Sequence, residues 1–468
     1  MIEELKKLAF EKLHEIYGDN VHEEIKNQLT SEIDLIENPD YQLLCMLARE
    51  LMIQAEKEKN PTILHFNSGK PLLSFLLGIS NINPLKAHYL CEKCHNFEFI
   101  PNINFGIDAE DKKCHVCNSL YKKDGYNLQY SQILGSIREY VSIYFHTTSK
   151  KQIFEYLVEK YGYDKIVIKK DFYFNEDGFF FIPDSKNEIF NHTDITHEYG
   201  IPMLQYNKQG LPDDVIYIAV NDDKNLMLLS KLDEKFGYPD ISLNNPNIFT
   251  SEILNEILDT DNEKFINLWN KLNPKSFSDI VRYFGFSYAT GCYNEKLPLE
   301  ELISDRDELI IKLLEHGIEK NEAFKITENI RKGRTFAVNM DVLKAYGLSD
   351  NSIEQLSTIK YLGERTTTIH NAKKAVKLAY YRQHHKIGYY TEFLNTYCNN
   401  LKHLNYDTAC KFVDDLDNLP DPDYELLDDY RLMSIVIVIH EKGIEIKVDN
   451  PDLEGFKFIE DGNCIKVV

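Results

Sequence analysis

The residues with the clearest chemistry are four cysteines, Cys91, Cys94, Cys114 and Cys117, spaced C-x2-C-x19-C-x2-C. Two such pairs offer four thiolates, and four thiolates close a tetrahedron around zinc. Every coordination position is then filled by protein, so no site stays open for a substrate and the ion is structural. Its binding energy becomes folding energy for a segment too short to build its own core. Four free thiols are the other reading, and the spacing argues against it. His95 and His115 flank the pairs and read as exposed neighbours. The other cysteines, Cys45, Cys292, Cys398, Cys410 and Cys464, are scattered. In a reducing cytosol, clustered pairs mean metal more often than disulfide.

Weaker candidates are cationic. Lys70 ends the string Asn67-Ser68-Gly69-Lys70, which lacks the G-x-x-x-x-G-K spacing of a phosphate loop. Arg331-Lys332-Gly333-Arg334 is a compact basic run. Lys373, Lys374, Lys377, Arg382 and Lys386 make a basic helical stretch in which Lys373 and Lys377 share a face. Such a face contacts a nucleic-acid backbone or is simply solvated. His192 and His197 flank Asp194, with no third ligand in view. The pairs Tyr380–Tyr381 and Tyr389–Tyr390 offer rings that stack on bases or, more commonly, pack within a core, where Trp269 also belongs.

Composition limits what these residues can do. The chain of 468 residues is 43% hydrophobic, enough for a sizeable core and more than one domain. Acids outnumber bases 75 to 53, for a net charge of −22. Nucleic-acid affinity comes largely from lysine and arginine displacing counterions, which argues against a free-standing, tight, non-specific DNA binder but leaves room for a local basic face. The opening MIEELKKLAFEKL has no signal-peptide apolar core, and no stretch is long and apolar enough to span a bilayer. A cytoplasmic location is the expectation.

The elements that must position these residues are readable from periodicity. Residues 1–58 have helical spacing and stop at Pro61. HFNSGKP is a turn-rich loop before the apolar run LLSFLLGI. Residues 133–235 alternate β-rich runs, such as Val141–Phe145, Ile166–Ile168, Phe179–Ile182 and Val215–Val220, with helical stretches. From about Ile248 to Tyr397 the pattern is helical. Asp414 to Asp429 holds eight acids and no base and predicts an exposed acidic linker. Leu432–Val438, Ile444–Val448 and Phe456–Ile459 predict a small β-unit.

Several strings together resemble a known family. NPLKAHYLCEKCHNFEF, GID and DKKCHVCNSLYKKDGYNLQYSQILG resemble the metal segment of the PolC-type replicative DNA polymerase of low-GC Gram-positive bacteria. SFSDIVRYFGFSYATG, DELIIKLLEHGIEKNEAFKITENIRKGR and IKYLGERTTTIHNAKKAVKLAYYRQHHKIGYY look like its fingers domain, and the N-terminal helices look like the start of its palm. The resemblance covers most of the chain to about residue 400 and the tail more weakly. The order of the motifs is specific; one fingers helix alone is not. No stretch here resembles the family's PHP, exonuclease, helix-hairpin-helix, clamp-binding or OB-fold regions, so the resemblance implies a reduced homologue.

The departures fall on the chemistry. The family's palm carries Asp-x-Asp after the Leu-Gly of the metal segment and a third Asp on a later strand, just before an Asp-Asp pair. With Leu134–Gly135 and Phe145 aligned, Tyr140 and Ser142 take the first two positions; with Asp222–Asp223 aligned, Tyr217 takes the third. In-line nucleotidyl transfer uses two divalent ions, and such hard cations need carboxylate oxygens. Neutral hydroxyls do not replace them, so the resemblance with these substitutions argues against catalytic magnesium. Glu139, Asp213 and Asp214 lie nearby, but a one-residue shift on a strand moves Glu139 to the opposite face. The family's glycine-rich triphosphate loop aligns with LHFNSGKP, where Gly69 matches, His65 takes the arginine position and Pro71 removes a donor. Arg331 to Arg334 keeps most of an Arg-Lys-Gly-Lys signature, whereas Lys-Ala-His aligns with Arg365-Thr366-Thr367.

The expected fold is mixed α/β plus α: a reduced C-family polymerase palm with a zinc-ribbon-like insertion, a helical fingers domain and a small β-containing C-terminal unit. The expected boundaries are 1–90 for the helical part of the palm, 91–125 for the metal segment, 126–247 for the α/β remnant, 248–400 for the fingers, and 401–468 for the acidic linker and final unit. The expected function is a catalytically inactive binding or regulatory protein with a structural zinc. Its partner is a protein, from the replication machinery or a companion such as a mobile-element or defence protein, with DNA a weaker partner and no membrane. Its phosphate or nucleic-acid candidates are Lys70, Arg331, Lys332, Arg334, Arg365, Lys373 and Lys377. The alternatives are an active DNA-directed DNA polymerase with relocated carboxylates, and a purely structural zinc protein.

Overall fold

The computed structural model describes residues 1–34, 39–57, 63–66, 72–128, 140–145, 149–162, 165–169, 178–181, 195–198, 201–204, 216–237, 245–258, 263–417 and 426–468. The chain forms two compact units, each discontinuous in sequence. The first takes residues 1–223 and 274–371, the second 224–273 and 372–468.

The first unit opens with α1 (Ile2–Tyr17), α2 (Glu23–Asp34) and α3 (Pro39–Lys57), then strand β1 (Ile63–Phe66) and the short helix α4 (Leu72–Leu76). Leu5, Ala9, Leu13 and Tyr17 recur every four residues on α1 and are all buried, so one stripe of this helix faces the core. The run LLSFLLGI thus contains a helix whose leucines enter the same core. Next come β2 (His88–Leu90), β3 (Phe97–Phe99) and β4 (Lys122–Asp124), an antiparallel sheet in the order β3-β2-β4.

A larger sheet follows from β5 (Tyr140–Phe145), α5 (Ser149–Tyr161), β6 (Ile166–Lys169), β7 (Gly178–Phe181), β8 (Ile195–Glu198), β9 (Ile201–Leu204) and β10 (Ile216–Asp222). With β1 they give seven strands in the order β1-β5-β10-β7-β6-β9-β8. β5 and β10 run parallel side by side, a pairing that needs a crossover connection, and the chain between them supplies it. The mixed α/β region expected for residues 133–235 is therefore present.

The chain then enters the second unit with α6 (Lys224–Phe236), α7 (Ser251–Leu258) and α8 (Glu263–Leu272). It returns to the first with α9 (Phe277–Tyr288), α10 (Arg306–Glu315), α11 (Lys320–Arg331), α12 (Met340–Ala345) and α13 (Asp350–Thr358). Helix α14 (Arg365–His384) begins among residues of the first unit and ends among those of the second. α15 (Lys386–Tyr397), α16 (Tyr406–Asp417), α17 (Leu427–Glu441), β11 (Glu445–Lys447), β12 (Phe458–Asp461) and β13 (Cys464–Val467) complete the second unit.

Two expectations for the tail change. Leu432–Val438 is not a strand but the middle of α17. Its buried residues, Leu432, Met433, Ile435, Val436 and Ile439, follow helical spacing, and packing against α16 overrides the strand propensity of the β-branched run. The first acids of the expected linker, Asp414, Asp415 and Asp417, belong to α16, and Asp428 and Asp429 open α17. The small β-unit survives as the three-stranded sheet β11-β13-β12. Among the described residues no helix is long and apolar enough to cross a membrane.

Candidate metal centre and central sheet

Each cysteine pair sits in a tight turn of the same geometry. The His95 amide donates to the Cys91 carbonyl at 2.8 Å, and the Asn118 amide to the Cys114 carbonyl at 2.8 Å. His95 and Asn118 both take the left-handed conformation, with φ of 57° and 60°. The two turns face each other. The Cys91 and Cys117 sulfurs are 3.3 Å apart, those of Cys94 and Cys114 3.5 Å, and all four lie within 4.8 Å of one another. A tetrahedral ion with Zn–S bonds of about 2.3 Å has S···S edges of roughly 3.8 Å, so the cluster fits a metal such as zinc. Charge supports the fit. The Ser119 hydroxyl and amide, with the Cys91 sulfur, pull the Cys117 thiol down to about 6. At Cys94 the Asn96 amide pulls down, yet burial and the three neighbouring sulfurs push the thiol up to about 12. Four thiolates this close repel one another unless a cation lies between them.

The strings around the cysteines are structural. Asn83, in Asn-Pro-Leu, donates to the Tyr17 hydroxyl at 2.9 Å and to the Asp124 carboxylate at 3.0 Å, which ties α1 to β4. The His88 ring is fully buried, and its Nδ1 is 2.8 Å from the Lys86 carbonyl. Gly106 passes so close to β4 that a Cβ there would lie 1.9 Å from the Asp124 carbonyl oxygen. His95 is not an exposed neighbour. It is half-buried, with Nδ1 3.0 Å from the Ile16 carbonyl, docking the first turn onto the end of α1. His115 is exposed, as expected.

Asp108, the last residue of Gly-Ile-Asp, was not singled out by its type. Its carboxylate accepts from the Phe277 amide at 2.7 Å and the Ser278 amide at 3.0 Å. It thereby caps α9 from a distant segment, alongside the local capping box of Ser276 and Asp279. In the sequence it stands close to Glu110 and Asp111 between the cysteine pairs, and nothing local names its partner.

In the larger sheet the backbone register brings Tyr140, Ser142 and Tyr217 together. Tyr217 on β10 pairs with Tyr140 on β5, and Ser142, two residues along β5, pairs with Ala219. Residues two apart on a strand share a side of the pleat, as do directly paired residues. Positions 140, 142 and 217 therefore form one patch on adjacent strands. His65 on β1 pairs with Ser142 from the other flank. Asp222 pairs with Phe145 at the end of β10. Glu139, Ser68, Gly69, Lys70, Pro71, His192, Asp194, Asp213 and Asp214 lie outside the described residues.

The cationic candidates are mostly engaged within the protein. Arg365 is buried. Its Nε is 3.1 Å from Asp305, its amide donates to Asp307 at 3.0 Å, and its guanidinium lies over the Phe105 ring at 5.9 Å. It is an internal ion-pair partner and not a solvent-facing phosphate ligand, because Asp305 was already waiting in the fold. Arg331 makes two 3.0 Å bonds to Glu328; although burial works the other way, this arginine holds the Glu328 carboxyl below its usual range. Lys332 is exposed and 3.3 Å from Glu328. Arg334 is exposed, and its guanidinium has no partner among the described residues. In the second unit Lys377 pairs with Asp233 at 3.2 Å, and Lys373 is half-buried. The basic stretch is thus no solvated face. Tyr381, Tyr389, Tyr390 and Trp269 are core residues.

Comparison with known proteins agrees with these motifs. Residues 3–172 match the family model described as the bacterial DNA polymerase III alpha NTPase domain. The chain is 24% identical to the PolC-type DNA polymerase III of Caldanaerobacter subterraneus over 84% of its length and 34% of the relative's. For the enzyme of Thermotoga maritima the figures are 20%, 99% and 40%, and for that of Clostridium perfringens 23%, 87% and 34%. The chain spans about a third of the length of the curated relatives it matches. Along most of its length, at low identity, this chain is similar to the PolC-type bacterial DNA polymerase III.

Proposed function

We propose that this chain is a polymerase-derived binding or regulatory protein of DNA replication, and not itself a nucleotidyltransferase. One observation carries the reading: Tyr140, Ser142 and Tyr217 occupy adjacent positions on β5 and β10, where the family resemblance expects the carboxylates of a two-metal site. Two divalent ions activate the attacking 3′ oxygen and stabilise the leaving pyrophosphate, and they are held by carboxylate oxygens. Hydroxyls neutral at pH 7 supply neither the charge nor the ligands. The cysteine cluster holds a zinc that braces the metal segment against α1. The partner is a protein of the replication machinery or a companion protein, because the net charge of −22 opposes tight contact with a phosphate backbone. Arg334 is the cation best placed for a weak nucleic-acid contact.

Primer extension on a short primer–template, with magnesium and then manganese, tests this. Folded protein holding one zinc is expected to extend no primer above background. Robust extension that disappears with Asp213→Ala or Asp214→Ala overturns the proposal and restores an enzyme with relocated carboxylates.

A further inference from the structure

Helices α1 and α3 of the first unit border an open cleft of about 690 Å³, closed at its base by the end of α4. Each long helix contributes residues with the spacing i, i+3, i+4, i+7. On α1 these run from Leu8 to Glu15, and on α3 they are Arg49, Met52, Ile53 and Glu56. Leu76 and Leu77 form the floor. Two helical ridges with this spacing leave a groove that takes the ridge of a third helix. The seven-residue stripes are about 10 Å long, two helical turns.

The charges on the rim select the occupant. Lys12 is neutralised by Glu15 at 2.6 Å, and Glu11 lies 3.9 Å from Lys7. Arg49 is half-buried at the lip and pairs with no described residue, and Glu56, two turns along the same helix, is likewise unpaired. A half-buried guanidinium beside an apolar floor gains most from a carboxylate brought in by a ligand with its own apolar face. We infer that this cleft is a docking groove for an amphipathic helix of a partner protein. That helix carries apolar residues at i, i+3 or i+4 and i+7, an acidic residue opposite Arg49 and a basic residue two turns away opposite Glu56. The groove involves neither the central sheet nor the cysteine cluster, so the inference stands whether or not the protein extends primers.

The test uses the full chain and a synthetic helical peptide of about 18 residues, long enough to hold a helix in water. It carries leucines at that spacing, Glu at one end and Lys two turns on, and a scrambled peptide serves as control. Fluorescence anisotropy is expected to show saturable binding of the first peptide alone. Ile53→Asp abolishes binding, and Arg49→Glu weakens it about tenfold. A peptide with Lys in place of that Glu recovers affinity for Arg49→Glu, an outcome that misfolding of the variant cannot produce. No binding to the wild-type chain, or binding indifferent to both substitutions, overturns the inference. So does concentration-dependent dimerisation in sedimentation that Ile53→Asp abolishes, which assigns the groove to a second copy.

Discussion

His88 lies between Tyr17, Phe97 and Phe99, with ring centroids at 6.2, 4.9 and 6.5 Å, and its Nε2 has no hydrogen-bond partner among the described residues. Burial holds the imidazole below its ordinary pKa, against the pull of Asp124 and the Lys86 carbonyl and with a smaller push from Lys122. The folded chain thus keeps His88 neutral at pH values where the unfolded chain protonates it. Its contribution to stability is complete above the unfolded pKa of about 6.5 and is lost as pH falls toward the folded value, at up to about 1.4 kcal/mol per pH unit. Thermal melts from pH 8 to pH 5 are expected to show a shallower acid loss for His88→Phe than for the wild type. Equal slopes would place the acid sensitivity elsewhere. The aromatic neighbours accept phenylalanine, so the substitution removes the titration without opening a cavity.

At the scale of elements, α7, α14 and α15 meet around one buried ion pair. Arg382 on α14 donates through Nε and Nη2 to Glu256 on α7 at 2.5 and 2.8 Å, and the Tyr390 hydroxyl of α15 reaches the same carboxylate at 3.2 Å. Arg382 and Glu256 are 5% and 4% exposed. Removing one partner strands the other, so Arg382→Ala is expected to cost about 3–5 kcal/mol in urea unfolding. The double replacement Arg382→Met with Glu256→Leu is expected to recover most of that loss; a double variant as weak as the single one contradicts this account. Such pairs show where reading the sequence stops. The cysteine spacing reports its own partners, because a tetrahedral site prescribes ligand number and reach. The long helical run after Ile248 was readable from periodicity alone. Arg365 and Arg382 looked like free cations because their acids, Asp305 and Glu256, lie 60 and 126 residues away. Leu432–Val438 looked like a strand because β-branching is local, whereas the contact with α16 that makes it helical is tertiary.

For the whole molecule, the metal segment belongs to the first unit, and Trp269, the single tryptophan, lies in the second. Structural zinc contributes about 10–16 kcal/mol of binding free energy in small fingers, comparable to the net stability of a whole domain, about 5–15 kcal/mol. If the cysteine cluster holds the proposed zinc, a strong chelator is expected to lower the main circular-dichroism transition while the Trp269 fluorescence transition stays in place. Two probes that fall together would mean that the units unfold as one.

The discontinuity of the first unit also bears on how the chain is made. Its opening segment ends at Asp223, yet the helices that complete it, including the one capped by Asp108, extend to Asn371. At about 5–20 residues per second, the roughly 150 residues between take on the order of 10–30 s to leave the ribosome. The Asp108 carboxylate receives the Phe277 and Ser278 amides, which lie about 50 residues past Asp223, so until they emerge it has no such partner and the nascent protein carries an unfinished surface. Chaperones, or the protein's eventual partner, meet it first in that state.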